Sequence, residues 1–120
     1  MNDEIAWRVE VSIKRDQVGN FLALTDEMVK SAMMEIGCLS YQRFIGADGD
    51  TVHIYERYLN SQVALAHLAV FFERFVDRYT SMVERRSFTV YGTPGNELRQ
   101  LLDQFKARYF RPFGNLEYWA

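Results

Sequence analysis

Two side chains near the middle of this chain are of the types that move protons, Glu56 and His67. Glu56 follows Val52 and Ile54 at strand spacing and precedes Tyr58, so all four share one face of a strand. A carboxylate held there under a helix is desolvated, which raises its pKa and suits a general base. The alternative is a structural carboxylate paired with an arginine, because an unpaired buried charge is costly. His67 lies about 100° around a helix from a stripe centred near Leu68 and Phe72, one residue step. That margin suits a pocket mouth and equally a solvated surface, and imidazole titrates near neutral pH. Tyr41 and Tyr58 could hydrogen-bond a substrate oxygen or sit as satisfied core tyrosines. Phe71, Phe72 and Phe75 could line an aromatic pocket or simply pack the core.

These residues need a frame, and the apolar pattern supplies one. Ala6 to Ile13 alternates, with Trp7, Val9, Val11 and Ile13 on one face of a strand. Gln17 to Ile36 switches to helical spacing along Val18, Phe21, Leu22, Thr25, Met28, Val29, Ala32 and Ile36, with Asp16 as its cap and Gly37 as its stop. Glu27, Lys30, Met34 and Glu35 fall on the opposite side. A strand from Leu39 and a strand to Tyr58 flank Gly46-Ala47-Asp48-Gly49-Asp50, a hairpin loop rich in residues that tolerate positive φ.

Asn60 or Ser61 then caps a helical stretch reaching residue 83, either one helix or two with a break near Val70. Arg86 to Tyr91 alternates as a further strand. Pro94-Gly95-Asn96 leads into a helix carrying Leu98, Leu101, Leu102, Phe105 and Tyr109. An aromatic tail from Phe110, with Phe113, Tyr118 and Trp119, is expected to dock on the sheet edge or on a partner subunit. The order β-α-β-β-α-β is the ferredoxin-like split βαβ of the α+β class: an antiparallel sheet with helices on one face. Residues 1–92 form this domain, and residues 93–120 extend it, packed on the same domain or on the partner. The second sheet face would carry Arg8, Glu10, Ser12, Gln42, Phe44, His53, Tyr55, Arg57, Thr89 and Tyr91. Phe44, Tyr55 and Tyr91 are too aromatic for a plain solvent face, which points to a homodimer through that face.

Composition removes several function classes. Fourteen basic and 16 acidic residues give a net charge of −2, interspersed rather than blocked, so the basic stripe that nucleic acid requires is missing. No apolar run approaches the roughly 20 residues of a membrane span, and Met1-Asn2-Asp3-Glu4 does not read as a signal peptide. The single cysteine, Cys38, cannot form an internal disulfide, and the cytoplasm is the expected compartment. Cys38 reads as a small buried residue, since neither a base nor a helix N-terminus is near it in sequence. No metal-ligand spacing occurs and no glycine-rich phosphate loop precedes a helix, so neither a metal nor another cofactor is expected. Aromatic residues make up 15% of the chain, a surplus that fits an aromatic-lined pocket, a large interface or a Phe-rich core.

Three runs carry a resemblance: Ile36-Gly37-Cys38-Leu39-Ser40-Tyr41, Ile54-Tyr55-Glu56-Arg57-Tyr58, and Ser61-Gln62-Val63-Ala64-Leu65-Ala66-His67-Leu68. In order and spacing, over residues 5 to 92, they resemble the antibiotic biosynthesis monooxygenase domain family of dimeric α+β barrels. The resemblance implies subunits whose sheets pair across a two-fold axis, with a pocket between each sheet and its own helices. It implies oxygenases of quinols and polyketide anthrones that use dioxygen without metal or flavin, and it also takes in haem-degrading and isomerase-like members. Departures fall at the family's catalytic positions. Trp7-Arg8, His67 and Phe75-Val76 stand where the haem-degrading branch has its Asn, Trp and His, which argues against haem degradation. Tyr58 and Ile54 replace the Trp and Asn of the polyketide oxygenases. Phe71-Phe72 stand where quinol-oxidising relatives have a second His.

The leading expectation is therefore a cofactor-independent monooxygenase of a small hydroxylated aromatic, quinol-like or polyketide-like. Glu56 and His67 would be catalytic, and Tyr41, Tyr58, Phe71, Phe72 and Phe75 would bind substrate. The alternatives are a dimeric small-molecule-binding protein without oxygenase activity, and an isomerase or lyase on a small carbonyl compound using the same Glu56 and His67.

Overall fold

A computed structural model describes residues 3–114 and 116 of the chain. The alternating runs become β1 (Ile5–Ile13), β2 (Cys38–Ile45), β3 (Thr51–Tyr58) and β4 (Val83–Tyr91). The helical runs become α1 (Val18–Met33), α2 (Ser61–Arg74), α3 (Val76–Met82) and α4 (Asn96–Asp103), and a short β5 (Arg108–Phe110) closes the sheet. Strand order is β2-β3-β1-β4-β5. The first four strands pair antiparallel, as the split βαβ order requires. The fifth runs parallel to β4, because α4 carries the chain back before it pairs. The sheet is therefore mixed, and the fold is α+β, with four helices among the described residues.

One face of β1 and β3 holds the core. Ile5, Trp7, Val11, Val52, Ile54 and Tyr58 are buried there, with Phe21, Ala64 and Leu68 from the helices above. Leu98 and Leu102 of α4 are buried in the same cluster, so the chain through residue 110 packs on this domain. Trp7 lies opposite Glu56 across the β1–β3 ladder and 5.0 Å from the Tyr58 ring.

Several boundaries and faces differ from the sequence pattern. The buried stripe of α1 is Phe21, Leu24, Met28 and Ala32, while Leu22 and Ile36 are exposed. The apolar run is wider than the buried face, and only packing selects which edge of it turns inward. The helix stops at Met33, and Gly37 at φ +91° turns the chain into β2. Asp16 does not cap α1. It takes φ +66° in the preceding turn, and Gln17 is the N-cap residue, its side chain making no capping bond to the helix backbone.

Asn60 is the cap of α2, its Oδ1 accepting from Val63 N at 2.9 Å, while Ser61 Oγ instead accepts from Gly95 N at 2.9 Å. The long helical stretch breaks at Phe75, not near Val70, and Val83 belongs to β4 rather than to a helix. Tyr109 lies on β5, beyond the helix it was expected to extend. Its hydroxyl donates to Asp103 Oδ1 at 2.6 Å, which ties strand and helix together. Of the aromatic tail, Phe110 packs beside Tyr91 at the sheet edge. Phe113 is 99% exposed, and Tyr118 and Trp119 lie outside the described residues.

The outer sheet face is polar with aromatic islands. Glu10 and His53 pair at 2.9 Å, and Arg57 grips Glu4 with two bonds of 2.9 Å. Phe44, Tyr91 and Phe110 stand exposed beside them, whereas Thr89 is buried.

Candidate active site

Between the sheet and its helices lies a cavity of roughly 550 Å³, its open mouth included. Its floor is a pair of cross-strand rows. Tyr41, Glu56 and Trp7 form one, since Tyr41 pairs with Glu56 and Glu56 with Trp7; Arg43, Ile54, Val9 and Phe88 form the next. Strand alternation puts all of them on the helix side. The roof is His67, Leu68, Phe71 and Phe72 of α2, Tyr79 of α3 and Met28 of α1, with Phe105 and Arg85 at the β4 side. Phe105 stacks on Phe72 with ring centres 5.6 Å apart, so the turn after α4 closes one wall.

Glu56 is the hub of the polar end. Its Oε1 accepts the Tyr58 hydroxyl at 2.5 Å and lies 3.2 Å from His67 Nε2. Both contacts fall on Oε1, so the other carboxylate oxygen carries neither. His67 Nδ1 lies 2.8 Å from Glu35 Oε1, making a line Tyr58–Glu56–His67–Glu35 that runs from the core toward the end of α1. Burial alone lowers the pKa of an imidazole, but bonds to Glu35 and then Glu56 outweigh it and push His67 up to about 9. At neutral pH the ring is an imidazolium donating to a carboxylate on each side.

Burial, and then the Glu56 charge, push both Tyr58 and Tyr41 above the ordinary phenol range, so each remains a hydroxyl donor. Tyr79 is pushed up to about 12 by burial. Cys38 sits nearby, half-buried, its thiol pushed up to about 11 chiefly by burial, so it stays protonated. Among the described residues no group of three or more His, Cys, Asp and Glu is arranged to hold a metal ion, and no helix is long and apolar enough to cross a membrane.

Five of the seven residues singled out from sequence line this one cavity: Tyr41, Glu56, His67, Phe71 and Phe72. Two do not. Tyr58 lies behind the lining, fully buried, bonded to Glu56 and packed against the rings of Trp7 and His67. Phe75 packs on Leu24 and Met28 in a second core cluster, with Arg74 and Arg78 over its ring. His67 is buried, 8% exposed, rather than at a mouth or surface. The half-buried Tyr41 ring lies 5.5 Å from the imidazole, which helps cover it.

Sequence reasoning missed Glu35 and Arg43. Glu35 lies two residues past the end of α1, in the turn before Gly37, so helical projection assigns it to the wrong side. Arg43 had a usable signal, because it shares strand parity with Tyr41 and therefore had to face the helices.

The arrangement can take a proton from a ring-shaped molecule at Glu56 and hold the resulting anion beside an imidazolium, in a cavity walled by aromatic rings. Comparison with solved structures gives the same fold repeatedly. MupZ from Pseudomonas fluorescens superposes with a TM-score of 0.88 at 21% identity, covering 98% of this chain and 91% of that one. Rv0793 from Mycobacterium tuberculosis gives 0.67 at 22%, covering 78% and 97%. A point variant of SnoaB, a cofactor-independent oxygenase from Streptomyces nogalater, gives 0.66 at 8%, covering 78% and 96%. No curated protein sequence matches the chain. The family model described as antibiotic biosynthesis monooxygenase matches residues 5–70, more than half of the 120 residues, and the chain belongs to that family.

Proposed function

We propose that this protein is a cofactor-independent monooxygenase acting on a small hydroxylated aromatic in the cavity between sheet and helices. One observation carries the reading: Glu56 and His67, 3.2 Å apart and both buried, line the same aromatic-walled cavity. Glu56 removes the proton of an acidic hydroxyl or of a doubly activated ring carbon. The His67 imidazolium and the Tyr41 hydroxyl hold the electron-rich anion, which then passes electrons to dioxygen. The step balances without an outside reductant, as R₂CH₂ + O₂ → R₂C=O + H₂O, since the carbon being oxidised supplies all the electrons. Excluding water protects the anion from reprotonation, a task for Phe71, Phe72 and Phe105 at the walls.

Oxygen uptake by the metal-free protein, measured with a panel of anthrones and quinols, is expected for at least one of them, with one oxygen atom from labelled dioxygen in the product. A folded, metal-free protein inert to the whole panel would leave this reading without support. A second reading is favoured by the Glu35–His67–Glu56 line, which is proton-transfer machinery in its own right: isomerisation of a small carbonyl compound. Turnover in the absence of oxygen separates it from the first.

The functional unit in this reading is a homodimer. Exposed Phe44, Tyr91 and Phe110 on the outer sheet face support it, since a second copy would cover them. The expected solution mass is twice 14.1 kDa, and a monomer by light scattering at micromolar concentration would sink the paired-sheet arrangement.

A further inference from the structure

Arg43 is the feature of the cavity that proton transfer at Glu56 does not use. Its terminal nitrogens donate to Thr25 Oγ1 at 2.9 Å, to the Tyr41 hydroxyl at 2.8 Å and to Met28 Sδ at 3.2 Å. All three acceptors are neutral, and a thioether is a weak one. Its Nε is buried with no hydrogen-bond partner. The guanidinium also lies 5.4 Å from the centres of the Phe21 and Tyr41 rings, so aromatic faces rather than a carboxylate surround it. Arg57, Arg78 and Arg86 pair with Glu4, Glu27 and Glu84, whereas Arg74 and Arg99 lie over aromatic rings as Arg43 does.

A second arginine, Arg85, lines the same cavity from its exposed rim, stacked over Phe88 and Phe105. It too has no carboxylate partner among the described residues. Two guanidiniums thus line one cavity whose only lining carboxylate, Glu56, is taken up by His67 and Tyr58. A cation in aromatic surroundings carries a desolvation cost that an incoming anion offsets. The planar donor fork matches a carboxylate, which can claim the terminal N–H now spent on sulfur.

The sheet register sets where that anion would lie. Tyr41 pairs with Glu56, and Arg43 is two residues further along β2, paired with Ile54. Arg43 therefore lies one strand across and two residues along from Glu56. We propose that Arg43, with Arg85 at the rim, forms an anion subsite that selects substrates bearing a carboxylate in addition to the hydroxyl presented to Glu56. The inference rests on the proposed function only in seating that hydroxyl at Glu56.

Binding without turnover tests it. Isothermal titration under nitrogen compares para-hydroxybenzoate with its methyl ester, which keeps the ring and hydroxyl and removes the charge. The acid is expected to bind at least about tenfold more tightly, the effect of one charge-assisted hydrogen bond. Arg43→Gln is expected to erase the preference and leave the ester unaffected, and Arg85→Gln to reduce it. Equal affinities in the wild-type protein, no binding of the acid, or a preference that survives in both variants would overturn the subsite. Should Arg43→Gln fail to fold, the wild-type comparison and the exposed Arg85→Gln still decide. Oxygen uptake alongside equal binding of acid and ester overturns this inference alone. Preference for the acid without oxygen uptake on any hydroxylated aromatic overturns the oxygenase reading alone.

Discussion

Replacing Glu56 by glutamine is expected to lower kcat for oxygen uptake by at least about 100-fold, the lower range for loss of a positioned general base. The substitution is close to isosteric. The amide oxygen still accepts the Tyr58 hydroxyl, now 2.5 Å from Glu56 Oε1, so the buried phenol keeps a partner. What disappears is the capacity to take a proton and one of the two carboxylates flanking His67. The effect therefore falls on kcat rather than KM, because ring contacts with Phe71 and Phe72 are untouched. A thermal melt close to wild type would separate this from unfolding. Unchanged kcat in the variant would remove Glu56 from the reaction and leave it a structural carboxylate serving Tyr58 and His67.

The second large effect is on stability against pH. His67 has a folded pKa of about 9 against an ordinary value of 6.5. The folded protein thus binds this proton more tightly than the unfolded chain, and between those two pH values it holds more protons than the unfolded chain does. Stability therefore falls as pH rises across the window. The contribution is fully present below about pH 6.5 and is lost as pH passes about 9. At 1.36 kcal/mol per pH unit the difference amounts to roughly 3 kcal/mol. Urea titrations from pH 6 to 10 should show that decline in the wild-type protein, and His67→Gln should lack it. Parallel slopes in the two proteins would show that His67 is not held as an imidazolium. In the folded protein the cation beside Glu56 is lost only around pH 9, so oxygen uptake is expected to fall there.

Much of the frame behind these expectations was legible in one dimension. Period-two runs at Trp7–Ile13 and Val52–Tyr58 placed Glu56 on the helix-covered face before any coordinate was known, because strand alternation depends only on residue parity. The glycines and aspartates of the hairpin loop forced β2 and β3 together, and the β-α-β-β-α-β order left few topologies to choose from. Helix faces were less legible. In the first helical run Val18, Leu22 and Ile36 read as core, yet α1 ends at Met33 and Leu24 took the buried place, because a wide apolar stripe leaves its rotation to the neighbours. His67 suffered the same ambiguity, and its burial depended on Glu35 supplying a countercharge from another element.

Sequence alone determined the strand faces, the loop chemistry, the family and which carboxylate of β3 faces the helices, since each of these is a local or ordered pattern. Tertiary structure alone decided the rest. The Glu35–His67 contact joins residues 32 positions apart, and Arg43 reaches Thr25 across 18. Phe105 closes a wall from beyond the family's matched region. Charge states at this site follow from which groups are desolvated together. That is a property of three-dimensional neighbours and leaves no periodic trace along the chain.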